Sequence, residues 1–433
     1  MLFKRSIGLL SVALTMIFWG SLTTSLPAAK ADKSKEASKA ASVEPEPTPP
    51  LDPIKYGGVW LSGSLADADK NFPVGKAFTQ RRLEGQGGSD DLAGELLQAL
   101  RKAAKPGGRR LVDALAPNDY APEAKAGKAL VMACAINYEQ VDALRIGGVT
   151  KVMAEVGFDL VICDFSTRAV VVALPGRVML VDVDPANNPS PQKKKLLLQR
   201  LYHESVLKQF VKLAQDRGPE IMGLSAAGVT KVTVFDEAKK VLPDWMKEKT
   251  ENYFANVAGS NFYEGSGLPL LPFSRGNELV FCSMQEKLSD ASEAAIKSNE
   301  SGGGEHFTLK KPEYEVELVI PAFRTVTATS TDAGKVVQNC AYSRITIKRG
   351  EQVLYTSQHD ANVQNIVPRG SSEAVPWLAY SDALNDLFFK GAKQIKTKIS
   401  GARKKQDNPS LIIEPDSLKN MFLDCAPWSI VGK

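Results

Sequence analysis

Residues 151–164 read KVMAEVGFDLVICD, and Val152, Val156, Phe158, Leu160 and Ile162 fall on alternate positions. A period of two puts these side chains on one face of a β-strand. Upstream, residues 129–146 begin rich in strand formers and end at Gly147-Gly148, a turn signal. Downstream, residues 169–174 and 177–184 flank Pro175-Gly176, a pair that suits positions i+1 and i+2 of a type II turn. The stretch 129–184 therefore predicts an antiparallel meander. A helix is predicted on each side of it. Before it, Leu92, Leu96, Leu97 and Leu100 line one face of residues 89–104, which Ser89 or Asp90 can cap and Pro106-Gly107-Gly108 stops. After it, Leu197, Leu201, Leu207, Val211 and Ala214 give residues 191–217 an apolar stripe at helical spacing.

The second half of the chain repeats this grammar. Residues 279–298 predict a helix, and residues 314–330 are strand-like. Residues 336–348 and 352–357 flank a turn at Arg349-Gly350, and residues 372–393 predict an amphipathic helix with Trp377, Ala383, Leu384, Leu387 and Phe388. Cys163-Asp164-Phe165-Ser166 in the first half matches Cys340-Ala341-Tyr342-Ser343 in the second, each on a predicted strand ahead of a turn. The expected fold class is α/β (α+β), with two diverged helix–antiparallel meander–helix units at residues 56–248 and 249–400. Residues 401–433 read as a C-terminal tail.

The amino terminus reads as an export signal. Lys4 and Arg5 precede a nearly uncharged run from Ile7 to Gly20, and Ala29-Lys30-Ala31 offers a small-x-small cleavage site. The run is short for a membrane span, which needs about 20 residues. An uncleaved anchor is the alternative. Residues 1–31 are thus assigned as signal peptide. Residues 32–55, dominated by Lys, Ala, Glu, Ser and Pro, are assigned as a disordered linker. A periodic apolar run long enough for an integral membrane segment is not found after the cleavage site. The expected location is periplasmic or secreted.

Charge and motifs exclude several classes. The chain carries a formal net charge of +5, and Lys4, Arg5 and Lys30 leave with the signal, so the remainder carries +2. That balance does not indicate a nucleic-acid partner. His203, His306 and His359 are scattered, which argues against a histidine metal site. Gly223-Leu224-Ser225-Ala226-Ala227-Gly228 fails the G-x-S-x-G pattern because alanine stands at 227. Ser301-Gly302-Gly303-Gly304 lacks the lysine of a phosphate loop, and Gly85-Gln86-Gly87-Gly88 does not complete a dinucleotide motif. The runs Lys193-Lys194-Lys195 and Arg403-Lys404-Lys405 can touch polyanions, although short charge runs are usually solvated faces. No catalytic, cofactor or metal residue is assigned.

Five cysteines are present and none forms a C-x-x-C pair. With the hairpin turning at Gly147-Gly148, Cys134 comes opposite residues 161–163, so a Cys134–Cys163 bridge is one reading. The other is that the thiols are small buried hydrophobes.

In element order, the helix with Leu92, Leu96 and Leu100, residues 161–183, and their counterparts at 279–298 and 339–357 resemble the TolB amino-terminal domain and the periplasmic domain of curli-export lipoproteins. The resemblance implies an envelope assembly or transport accessory protein rather than an enzyme. The expected function is a non-catalytic, exported envelope protein that binds an envelope protein or a small ligand, without a cofactor. One alternative is an envelope hydrolase using carboxylates among Asp159, Asp164, Asp182 and Asp184. Another is a periplasmic small-ligand binder with Trp377 and Tyr342 in a cleft between the halves.

Overall fold

The computed structural model describes residues 54–63, 68–78, 92–103, 111–113, 130–146, 149–164, 166–185, 188–217, 226–274, 278–282, 305–332, 334–369, 377–401, 412, 413 and 421. The assigned signal peptide and the linker up to residue 53 lie outside the described residues, whereas Ile54 and Lys55, assigned to the linker, are buried and open the first strand instead. In chain order the first elements are β1 (Ile54–Ser62), α1 (Ala68–Asn71), α2 (Leu92–Ala103), β2 (Leu111–Asp113), β3 (Leu130–Ile146), β4 (Val149–Asp164) and β5 (Ala169–Asp184). A continuous helical segment follows, built of α3 (Pro191–Leu201), a π-helical turn at Tyr202–Val206, and α4 (Leu207–Arg217). Next come β6 (Ala227–Val234), α5 (Asp236–Lys239), α6 (Asp244–Lys247), α7 (Thr250–Ser266), β7 (Leu270–Leu271), β8 (Glu278–Cys282) and β9 (Glu305–Leu309). The last are β10 (Tyr314–Ile320), β11 (Phe323–Thr331), β12 (Gly334–Arg349), β13 (Gln352–Pro368), α8 (Trp377–Gly401) and β14 (Ile412–Ile413).

The predicted meander is present as β3, β4 and β5, paired antiparallel along their lengths. It does not stay open. β1 pairs in parallel with β3, β9 pairs in parallel with β5 at Ala169 and Val170, β8 pairs with β9, and β8 returns to β1 at Leu61 and Ser62. The ring β1-β3-β4-β5-β9-β8 is a closed six-stranded barrel. Its interior holds Trp60, Val131, Ala133, Ala135, Val161, Cys163, Val170, Ala173, Phe281, Phe307 and Leu309, which come from all six strands and from no helix. A barrel this narrow is filled by side chains. Trp60 takes the centre, with ring centroids 5.2 Å from Phe281 and 6.2 Å from Phe307. Its indole N–H donates to the Gly57 carbonyl at 3.0 Å. Gly58 makes the β1 bulge that permits this: its φ of 85° lies in the left-handed region, and the β1–β3 register shifts there.

The outer face of the meander carries the other half of the alternation. Met132, Cys134, Ile136, Val156, Phe158, Leu160 and Ile162 pack against α2, α3 and α4. Ser190 caps α3 by accepting from the Lys193 N–H at 3.2 Å. The π turn inserts a residue into the stripe expected for 191–217. Leu197 and Leu201 are buried as expected, but beyond the turn the deeply buried residues are Val206, Phe210 and Leu213, with Leu207, Val211 and Ala214 at the margin.

β14, β13, β12, β10, β6 and β7 form the second sheet, and β11 adds to β12. Its inner face packs on α7 and α8 around Phe254, Phe262, Phe323, Trp377, Leu384 and Phe388. The class is therefore α+β, as expected, but two helix–meander–helix units are not present. The predicted helix at 279–298 starts as strand β8, and residues 283–298 lie outside the described residues. Pro175-Gly176 is not a turn, because β5 runs unbroken through it. Cys163 is the next-to-last residue of β4, beside the turn, whereas Cys340 lies inside β12, nine residues ahead of Arg349. The sheets also interleave along the chain: β6 joins the second sheet, while β8 and β9 complete the barrel. The expected tail at 401–433 contributes β14, which pairs with Tyr355 and Thr356, and Met421, which is buried in the second core.

Candidate functional site

The residues singled out by sequence do not converge. Cys134 pairs with Leu160 and Cys163 with Val131. An offset of three residues puts the two thiols on opposite faces, Cys134 under the helices and Cys163 inside the barrel. Both are free, so the proposed bridge is corrected to two buried thiols, and burial holds both thiol pKa values above the usual range. Trp377 packs against Tyr253, Phe254 and Phe323 in the second core. Tyr342 lies on the other face of β12, with the Arg324 guanidinium 5.9 Å from its ring centre. They share no cleft. The three histidines are apart as well. His203 meets Glu95 at 2.8 Å, His306 meets Glu278 at 3.1 Å, and His359 meets Tyr355 at 3.0 Å. Among the described residues, no group of three His, Cys, Asp or Glu side chains could hold a metal.

The four aspartates separate in the same way. Asp182 and Asp184 both bind Lys193, at 3.1 and 3.2 Å. Asp164 organises the β4–β5 turn by accepting from the Ser166 N–H and hydroxyl and from the Thr167 N–H. Those bonds outweigh its partial burial and hold its carboxyl below the usual range. Asp159 points into the barrel and is 2% exposed. Its Oδ2 accepts from Asn137 Nδ2 at 2.9 Å, and Asn137 in turn accepts from the Ser62 hydroxyl at 2.7 Å. Asn137 is free to do this because it is the extra residue of the β3 bulge between Ile136 and Tyr138. Asp159 Oδ1 has no hydrogen-bond partner.

Burial pushes the Asp159 carboxyl up to about 6 from its ordinary 3.8, with the Asn137 bond opposing. The neutral form is therefore the one the fold prefers. Its contribution to stability is complete below about pH 4 and is lost as the pH rises through about 6, a difference on the order of 3 kcal/mol. Burial also raises the Glu139 carboxyl and acts in the same direction. Urea midpoints taken across this range should fall more steeply for the wild type than for Asp159→Asn. Parallel curves would show that Asp159 does not titrate in the fold.

A second buried polar cluster joins the barrel to the second core. Arg177 on β5 binds Glu155 on β4 through two bonds, Nε to Oε1 at 2.6 Å and Nη2 to Oε2 at 2.7 Å. The Tyr138 hydroxyl donates to Glu155 Oε1 at 2.5 Å, and Arg177 Nη1 donates to Asn385 Oδ1 on α8. Every charge here has a partner and faces packed side chains, so the cluster locks layers together and offers no open position to a substrate. Glu139 does similar work near residues 74 and 75. It accepts from the Val74 and Gly75 N–H groups at 2.7 and 3.1 Å and from the Tyr202 hydroxyl at 2.8 Å.

The open surface lies instead along β6. β6 pairs with β10 on one side for its whole length, but on the other with β7 only at Ala227 and Gly228. Pro272 follows β7 directly, and proline cannot donate to a ladder, so the strand stops there. Among the described residues, 229–234 have no strand on their outer side. Two grooves flank this edge. One, of about 560 Å³, runs from Gly228 to Val232 against Pro272, Phe273 and Pro312. The other, of about 620 Å³, continues from Val232 to Val234 against Leu242 and Thr250. They share Val232 and Glu251, so they form one trough along the strand. Thr230 is the extra residue of a bulge, and Thr230 and Lys231 are both exposed. A bulge and an exposed lysine keep two flat edges from pairing indiscriminately. The sequence reading passed over β6, considering its first residues, Ala227 and Gly228, only as the end of a failed G-x-S-x-G pattern. The signal available was the β-branched run Val229-Thr230-Lys231-Val232-Thr233-Val234.

With that geometry in hand, no protein-family model matches the chain, and no curated protein matches its sequence.

Proposed function

We propose that this is an exported, non-catalytic protein of the cell envelope that receives an extended polypeptide segment along β6. The trough beside residues 229–234 is the observation that supports it most. An edge without a described neighbouring strand, running beside a trough, is suited to strand addition, in which the main chain supplies affinity and alternate side chains supply selectivity. Export is supported by Lys4 and Arg5, the apolar run after them, and Ala29-Lys30-Ala31. Among the described residues, no helix is long and apolar enough to cross a membrane. The role agrees with the assembly or transport function implied by the resemblance to the TolB amino-terminal domain and the curli-export domain.

A photo-crosslinking amino acid at position 231 of the full chain, in cells that export it, should yield a polypeptide adduct. The same group at Val326, on β11, should not. Absence of an adduct at 231, or equal adducts at both positions, would overturn the proposal. Fusion of the leader to a phosphatase active only outside the cytoplasm tests export separately.

A further inference from the structure

A different edge carries a different partner. Four of the nine large apolar side chains exposed among the described residues lie on one corner of the molecule: Val149, Met179, Val181 and Val183, at 44, 41, 49 and 56% exposure. The last three alternate along β5 and so share one face, and Val149 extends the row from the start of β4. β5 is an edge strand here. β4 pairs with it throughout, whereas β9 reaches only Ala169 and Val170. α7 covers the edge near Pro175, where a Cβ on Gly259 would lie 3.3 Å from the proline ring. Beyond Arg177 no described strand pairs with this edge, and the Val183 N–H donates to Asp182 Oδ1 at 2.8 Å.

Exposed edges are normally blunted by charged side chains, lysine above all, by a proline or by a bulge. Residues 178–184 read VMLVDVD: they hold no lysine, proline or bulge, their only charges are Asp182 and Asp184, and the β4–β5 register is unbroken across them. The two aspartates point to the opposite face, where Lys193 neutralises both. What remains is an uncharged aliphatic row beside an edge without a described partner strand, where a pairing strand would replace the Asp182 side chain at the Val183 N–H.

We infer that β5 pairs with β5 of a second copy of this chain, antiparallel about a two-fold axis at Val181. Self-pairing about that residue sets Met179 opposite Val183 of the other copy, so the aliphatic row covers itself. On the other face Asp182 falls opposite Leu180, and no aspartate faces an aspartate directly. The arrangement is isologous and closes at two copies. The β6 edge, with its bulge and Lys231, does not share this self-complementarity. A seven-residue strand pair is smaller than the roughly 800 Å² per partner of a stable interface, so the dimer is reversible.

Sedimentation of the mature chain over a concentration series should show a monomer–dimer equilibrium. Val181→Lys should stay monomeric at every concentration with unchanged circular dichroism and melting temperature. In a Cys340→Ser background, Val181→Cys should crosslink to itself at position 181, because directly opposed residues bring their Cα atoms within disulfide reach. Met179→Cys should link only when mixed with Val183→Cys. A wild type that stays monomeric at the highest attainable concentration overturns the inference. So does a dimer that survives Val181→Lys, or the absence of a 181–181 link. The crosslink at position 231 is independent of all three outcomes.

Discussion

Replacing Arg177 by alanine is expected to destabilise the protein by about 3–5 kcal/mol, because it leaves a buried carboxylate without its counter-charge. The side chains of Glu155 and Arg177 are only 3% and 9% exposed, so solvent screens little of the loss. Three interactions fail together. Glu155 loses two short bonds from the guanidinium, Asn385 loses a donor, and the Tyr138 hydroxyl is left alone against an unneutralised carboxylate. The double variant Glu155→Leu, Arg177→Leu should be far less damaged than Arg177→Ala alone, since it removes the desolvated charge as well as its partner. Urea unfolding of both variants decides this. A loss under 1 kcal/mol for Arg177→Ala would mean that water reaches the pair, and that the barrel and the second core are not locked through it.

Trp60→Ala should cost a similar amount, about 3–5 kcal/mol, by opening a void in the centre of the barrel. Trp60 is 1% exposed, touches Phe281 and Phe307, and is packed by strands that close on themselves. A closed ring cannot collapse onto a missing side chain as an open sheet can, so relaxation recovers little. Trp60→Phe keeps most of the volume and should lose markedly less. Equal losses for the two variants would show that the indole N–H bond to Gly57, rather than ring volume, is what matters.

The parts of this fold that were legible in sequence are those with a local cause. Period-two alternation gave β4, the leucine stripe gave α2, and Arg349-Gly350 gave the β12–β13 turn, where Gly350 has a φ of 57°. The failures have physical reasons too. Pro175-Gly176 looked like a turn, but Pro175 sits where β9 no longer pairs with β5, and Gly176 is needed because a Cβ there would come within 2.4 Å of the Phe158 ring. The pair marks a close ring contact, not a reversal. Barrel closure depends on β8 and β9, five residues each, and on pairings hundreds of residues apart, which no local period encodes. The Cys134–Cys163 expectation failed because the β3 bulge at Asn137 shifts the register and because an odd offset reverses the face. The trough along β6 was missed because it is defined by what stops beside the strand, Pro272, and not by the strand itself.

The most direct test of that trough is amide hydrogen exchange on the full mature chain, with and without the polypeptide captured by crosslinking at position 231. Strand addition along β6 predicts slowed exchange across residues 229–234 on binding, with residues 178–184 of β5 unchanged. Binding that leaves 229–234 exchanging at their free rate, while protecting amides elsewhere, would contradict it.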